Sequence, residues 1–230
     1  MSRTDDWSSR GGTDATLLRR LMSRFSLFVR EKQFAWFEQN VSFTANESVL
    51  DVGISTDESL PDTNFFEKRY PYPGNITIAS VEDCKHLVHR YNVKSFVQIS
   101  EKSPLPFADE SFDIVVSWAT VEHAGSRDQQ EYFLRELLRV GKKVFVTTPD
   151  RLSIYEPHTT VFFLHYLPQR WFRAIAKKMG KHFWAQEKHL NILSFYDLRR
   201  MLYNTPITVE RFKLFGIIPS HIIMYGKTRK

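Results

Sequence analysis

The chain has 230 residues, of which 42% are hydrophobic and 25% charged, a globular composition that suits one sizeable core. Its single cysteine, Cys84, excludes an internal disulfide and any multi-cysteine zinc or iron–sulfur centre. No apolar run approaches the roughly 18–20 residues of a membrane span, and the net charge of +6 permits an anionic partner without naming one.

The first residues, MSRTDDWSSRGGTD, are polar and lack the apolar core of a secretory signal. Residues 1–13 are expected to form a flexible tail, residues 14–230 one domain, and the protein to be cytoplasmic. Thr13 or Asp14 can cap a helix carrying Leu17, Leu21, Phe25, Phe28 and Val29 at helical spacing, continued by Phe34, Trp36 and Phe37. The pattern is that of an amphipathic helix packed on a larger body.

Short apolar runs follow at 48–53, 76–79, 95–99, 112–117 and 144–148. Helical stretches lie between most of them. One spans 82–91, after the turn signal Pro73-Gly74-Asn75. Another starts at Ser126, which has capping-box spacing to Gln129, and ends at Gly141. This alternation predicts an α/β, Rossmann-like, doubly wound fold with a mostly parallel sheet. The segment Asn64-Phe65-Phe66, with Tyr70-Pro71-Tyr72-Pro73 after it, reads as a rebuilt loop. After Pro149 the alternation breaks, and residues 150–190 read as a lid inserted after strand 5. It includes a helix over 168–179, with Pro168 in its first turn and Gly180 at its end. A helix near 194–203 and strands near 207–214 and 221–227 complete seven strands, the last antiparallel.

In an open parallel sheet, ligands bind at the carboxyl ends of the strands. The first strand ends in Asp51-Val52-Gly53. The acid can hold a cationic amine, and the glycine lets backbone approach a ligand.

Several segments together carry a resemblance. Val49-Leu50-Asp51-Val52-Gly53 resembles the first motif of class I S-adenosylmethionine-dependent methyltransferases. Residues 105–115 (Leu105-Pro106-Phe107 through Asp113-Ile114-Val115) look like their fourth-strand motif. Trp118-Ala119-Thr120-Val121-Glu122-His123, Glu136-Leu137-Leu138-Arg139-Val140 and Thr147-Thr148-Pro149 follow in the family's order. The resemblance covers 48–150. It implies the seven-stranded fold, S-adenosyl-L-methionine as cofactor and S-adenosyl-L-homocysteine as product. The chain departs from the family at its glycine-rich loop, which here reads Gly53-Ile54-Ser55-Thr56-Asp57.

The resemblance also places the cofactor's neighbours. Asp51, Gly53 and Ser55 belong to the first loop. The ribose acid of the second strand aligns with Ser80, so Glu82, or else Asp83, is expected to take that role. Both could instead be acids stabilising the start of the next helix. Glu101 is expected near the adenine amine, with Trp118 and Ala119 lining the adenine and methionine region.

Methyl transfer from a sulfonium is an in-line displacement governed by alignment and desolvation. A hydroxyl acceptor also needs a proton removed, and histidine suits that near neutral pH. His158, oriented by Glu156, is the expected base, with His123 as alternate; His165 lies one element further. The histidines at 158, 165, 182 and 189 have no tight metal-ligand spacing, so no metal is expected.

The expected acceptor is a hydroxyl of a sugar, a glycan or another small molecule, which would place the protein in polysaccharide biosynthesis. The alternatives are a catalytically silent binding protein, suggested by the missing glycines, and an RNA methyltransferase, suggested by the basic charge. A nucleic-acid partner is not expected, because no RNA-binding appendage is recognisable. The basic helix at 168–179 could touch an anionic membrane and so serve a lipid-linked acceptor.

Overall fold

A computed structural model describes residues 17–101, 103–153, 155–156, 161–162 and 166–229. The helix α1 (Leu17–Asn40) leads into β1 (Val49–Val52), α2 (Phe65–Arg69), β2 (Ile76–Ser80), α3 (Lys85–Tyr91) and β3 (Ser95–Gln98). Then come β4 (Phe112–Trp118), α4 (Arg127–Val140) and β5 (Gly141–Pro149). A small antiparallel pair, β6 (Tyr155–Glu156) and β7 (Val161–Phe162), precedes α5 (Gln169–Lys178), α6 (Phe195–Met201), β8 (Thr208–Leu214) and β9 (Ile218–Lys227).

Among the described residues one seven-stranded sheet has the order β3-β2-β1-β4-β5-β9-β8. The first five strands pair in parallel, with Asp51 level with Ile78 on β2 and Val116 on β4. β9 runs antiparallel to both β5 and β8. The expected doubly wound sheet with one antiparallel strand is therefore present.

Alternation along each strand sends side chains to opposite faces. Val49, Ile78, Ile114, Val116, Trp118 and Phe145 pack with α1 and α2, through Val29, Phe34, Phe37, Phe65 and Phe66. Leu50, Val52, Val115, Val144 and Val146 pack with α4 and α6, through Leu134, Leu137, Leu198 and Met201. Phe34 and Phe37 are wholly buried, each contributing roughly 1.5–3 kcal/mol by the area removed from water.

Two contacts orient α1. Ser42, just past its end, accepts from Lys143 near the start of β5. Phe28 stacks on Phe215, just past the end of β8. α1 thus runs opposite to the parallel strands, and its first half projects beyond their carboxyl ends. The expected amphipathic helix packs on the larger body chiefly through its second half. Val29, Phe34 and Phe37 are buried, but Leu21, Phe25 and Phe28 are 50%, 46% and 40% exposed, because no sheet lies beneath them.

Three boundaries also differ from expectation. Residues 65–69 form a helix rather than a loop. α3 begins at Lys85 rather than Glu82, because residues 81–82 form a bend and Glu82 is tied to the first loop. β9 starts at Ile218, three residues early, since the Phe215-Gly216-Ile217 turn is tight, with Phe215 and Gly216 at positive φ. The capping box at Ser126 and Gln129 is formed as expected.

Candidate functional site

The parallel strands end together, and their following loops build one polar edge. Asp51, the penultimate residue of β1, is 5% exposed. Its carboxyl lies close to that of Glu67 on α2, which is 4% exposed. Burial raises the pKa of both acids, and their proximity raises Asp51 further; Arg30 on α1 opposes the shift only in part. Two buried carboxyls cannot both ionise in contact, so the pair retains a proton. Among the described residues Oε1 of Glu67 has no hydrogen-bond partner, nor does Nε1 of Trp118 on the same face of the sheet.

Gly53 follows with φ 110°. A Cβ there would lie 2.1 Å from Oγ1 of Thr120. The glycine is thus demanded both by its backbone and by the close passage of the loop after β4.

The loop after Gly53 is held by side chains in place of glycine flexibility. Asn64, itself at φ 49°, accepts from the amide of Ser55 at 3.1 Å and donates to its carbonyl at 2.8 Å. Oε2 of Glu82 accepts from the Thr56 amide at 2.8 Å, the Thr56 hydroxyl at 2.9 Å and the Ser55 hydroxyl at 3.3 Å. Ser80, 3% exposed, donates to the carbonyl of Ile54 at 2.7 Å and accepts from the Glu82 amide at 3.2 Å. Glu82 and Ser80 therefore join the end of β2 to the loop after β1.

Asp83 behaves as the helix-start alternative implies. It accepts from the amide of Lys85, the first residue of α3, at 3.2 Å. Glu101 is exposed, three residues past the end of β3. Ala119 takes φ 55° and donates its amide to Thr147 at 2.9 Å. Trp118 is 8% exposed and stacks on Phe66 with ring centroids 5.9 Å apart. Its indole therefore lies beneath the edge, inside the aromatic cluster, rather than on it.

His123 sits in a single helical turn, 121–123. Its Nδ1 donates to the carbonyl of His189 at 2.6 Å, and its ring lies 6.0 Å from that of Trp184. The neighbouring Glu122 is wholly buried, accepting from Thr148 at 2.9 Å while its carbonyl accepts from the Asn191 amide. His123 is thus part of the joint between β4 and the returning 184–193 segment. His158 and His165 lie outside the described residues. Glu156 is described by its backbone alone, which pairs with Val161. Among the described residues no group of three or more histidine, cysteine or acidic side chains could hold a metal ion.

Sequence reasoning missed Glu67, Asn64, Thr56 and Thr120. Only Glu67 left a signal, as an acid following directly on two buried phenylalanines.

The strand order, the acid at the end of β1 and the convergence of loops at one carboxyl edge are those of the Rossmann-like fold of class I S-adenosylmethionine-dependent methyltransferases. Residues 50–144 match the family model described as methyltransferase domain. The chain is similar to that family over this segment, and the likeness implies S-adenosylmethionine as the cofactor. No curated protein is matched by the sequence. Solved structures share the fold. A SAM-dependent methyltransferase from Aquifex aeolicus is 16% identical with a TM-score of 0.55, over 90% of this chain and 93% of that one. The YcgJ protein from Bacillus subtilis is 15% identical with a TM-score of 0.55, over 90% and 99%. The CurJ carbon methyltransferase is 9% identical with a TM-score of 0.55, over 89% of this chain and 54% of that one.

The residues present fit one end of the cofactor in particular. Its methionine moiety carries an ammonium, for which a buried acid pair with an unused oxygen is a suitable receptor. The amides of Ser55 and Thr56 are already engaged by Asn64 and Glu82, so this loop approaches the cofactor differently from a glycine-rich one.

Proposed function

We propose that the protein transfers the methyl group of S-adenosylmethionine to a hydroxyl of a sugar-containing, lipid-linked acceptor. The observation that carries this reading is the composition of the rim at the carboxyl edge. Leu21, Phe25 and Phe28 of α1 project there beside Phe215 and Ile217, which are 74% and 75% exposed. Arg24, Lys32 and Lys213 flank them, with Lys32 lying over the Phe28 ring at 5.6 Å. Apolar tips among cations suit the surface of an anionic bilayer. Trp171, 55% exposed on the basic helix α5, adds a second such element and an aromatic face on which a sugar ring can stack. No helix among the described residues is long and apolar enough to cross a membrane.

The cofactor, when bound, supplies an electrophilic methyl on a positively charged sulfur. The chain's residues hold its amino-acid end at Asp51, position the loop 53–57 through Glu82 and Asn64, and join residues 184–193 to the end of β4 as a cover on the acceptor side. Proton removal from the acceptor hydroxyl falls to His158, oriented by Glu156. The shared fold with a carbon methyltransferase means that oxygen selectivity must come from this covering segment, since the sheet does not select it.

The test is methyl transfer from radiolabelled S-adenosylmethionine to a panel of polyprenyl-linked sugars against the same sugars without lipid. Labelling of the lipid-linked set supports the reading, and labelling of neither overturns it. A second reading, a silent binding protein, is favoured by the self-contained bonding of the 53–64 loop. Calorimetry with S-adenosylhomocysteine separates the two, since a silent protein with a closed loop gives no binding heat.

A further inference from the structure

The buried pair Asp51–Glu67 has no evident structural purpose. Placing two carboxyls in contact inside an aromatic cluster costs stability, and apolar residues of similar size would pack there more cheaply. The groups around the pair do not neutralise it. Arg30 on α1 is half-buried and only partly offsets the acids. Lys68 on α2 is the remaining cation nearby. Cys84 and Tyr91, at the start and end of α3, are held neutral by burial, with pKa values raised to about 11 and about 12. On the sheet side the neighbours are Val49, Val116 and Trp118.

Oε1 of Glu67 is buried and has no hydrogen-bond partner among the described residues. An unpaired buried acceptor is costly, so it points to a cationic ligand group such as an ammonium.

We propose that Glu67 is a second carboxylate of the donor site, and that Asp51 and Glu67 exchange their shared proton for the ammonium of the cofactor's methionine moiety. The reading rests on cofactor binding at this edge. The free pair is one carboxylic acid beside one carboxylate. When the ammonium docks, the O–H bond of the acid breaks and its proton leaves to the buffer. Both carboxylates then face the cation, and no electrons change hands. Binding is therefore linked to release of about one proton near neutral pH, and it tightens as pH rises until the free pair has itself lost that proton. Glu67 also takes over anchoring that a glycine-rich loop would give through backbone amides, which here are already used by Asn64 and Glu82.

The experiment is calorimetry of the wild-type protein with S-adenosylhomocysteine, at one neutral pH, in buffers of different ionisation enthalpy. Methylthioadenosine, which lacks the amino-acid moiety, is the control probe. A dependence of apparent heat on buffer that corresponds to about one released proton for S-adenosylhomocysteine, and none for methylthioadenosine, supports the proposal. Glu67→Gln should abolish the release and weaken S-adenosylhomocysteine by roughly tenfold or more, with methylthioadenosine binding unchanged. Binding without proton release overturns the proposal and leaves the methyltransferase reading standing. Equal release for both probes overturns it too, since the proton then comes from elsewhere. No binding of either probe overturns both readings. The wild-type comparison decides the matter even if the variant fails to fold.

Discussion

Glu82, two residues past the end of β2, accepts the amide of Thr56 at 2.8 Å and its hydroxyl at 2.9 Å, binding the second strand's exit to the loop of the first. The charge-assisted bonds do for this loop what glycines do elsewhere: they fix a backbone path close to the ligand edge. Glu82→Ala should therefore loosen residues 53–58, seen as faster amide exchange there. It should weaken cofactor binding by about 1.5–3 kcal/mol, the worth of hydrogen bonds to a charged group. Asp83→Ala, which removes the bond to the Lys85 amide and an exposed ion pair with the same residue's ammonium, should leave cofactor affinity unchanged. The reverse ranking in a titration would show that Asp83, not Glu82, organises the site.

Gly53→Ala tests the close passage of two loops. The new methyl group would meet Thr120 at 2.1 Å from Oγ1 and 2.5 Å from Cγ2, on a backbone at φ 110°. Both the contact and the torsion oppose it, so the loss of stability should exceed the roughly 1 kcal/mol typical of a mild glycine replacement. Thermal unfolding measures it. A melting temperature equal to wild type would mean that the loops separate easily.

Much of this architecture is legible in the sequence because its signals are local. Ser126 and Gln129 announce the start of α4, and Gly141 its end, through chemistry confined to a few residues. The apolar runs that become β1 to β5 are equally local. The exposure of Leu21, Phe25 and Phe28 is not, since helical spacing predicts a stripe but cannot say where the sheet beneath it stops. Nor is the role of Glu67 legible, which depends on a partner sixteen positions earlier and on the aromatic wall around both. Asp83 shows the opposite case: an acid ahead of a helix turned out to do the common thing.

Two acidic groups give stability of opposite sign with pH. The Asp113 carboxylate is lowered to about 2 from 3.8, chiefly by Lys142 and by Ser48. Its stabilisation is present above the unfolded value and is lost as pH falls from about 4 toward 2. Asp51 and Glu67 are raised instead. Their folded state holds a proton that the unfolded chain releases above its ordinary carboxylate pKa of about 4, so stability declines as pH rises from there toward the folded value. Asp113→Asn should lower the melting temperature at neutral pH and have no effect near pH 2. Glu67→Gln should remove part of the decline between pH 4 and neutral. Parallel melting curves for wild type and Glu67→Gln across that range would show that the pair is not raised.

The catalytic assignment can be split between two histidines by asking what each substitution disturbs. His123 has its Nδ1 committed to the carbonyl of His189 at 2.6 Å, and its ring lies 6.0 Å from Trp184, in the joint that holds the 184–193 segment to the end of β4. His123→Ala should lose that bond and its packing. It should cost about 1–2 kcal/mol of stability and change activity mainly through the covering segment, raising KM for the acceptor. His158, which follows β5 in sequence, is the proposed base. His158→Ala should leave the melting temperature and S-adenosylhomocysteine affinity unchanged while lowering kcat by about 10²–10⁴-fold. Its pH profile separates the two further. With the neutral imidazole as the working form, wild-type kcat rises through the histidine pKa and then levels, and the rise should vanish in His158→Ala but persist in His123→Ala. If instead the rise vanishes only in His123→Ala, the base is His123, and the 2.6 Å bond from its Nδ1 is what fixes the tautomer with Nε2 as the proton acceptor.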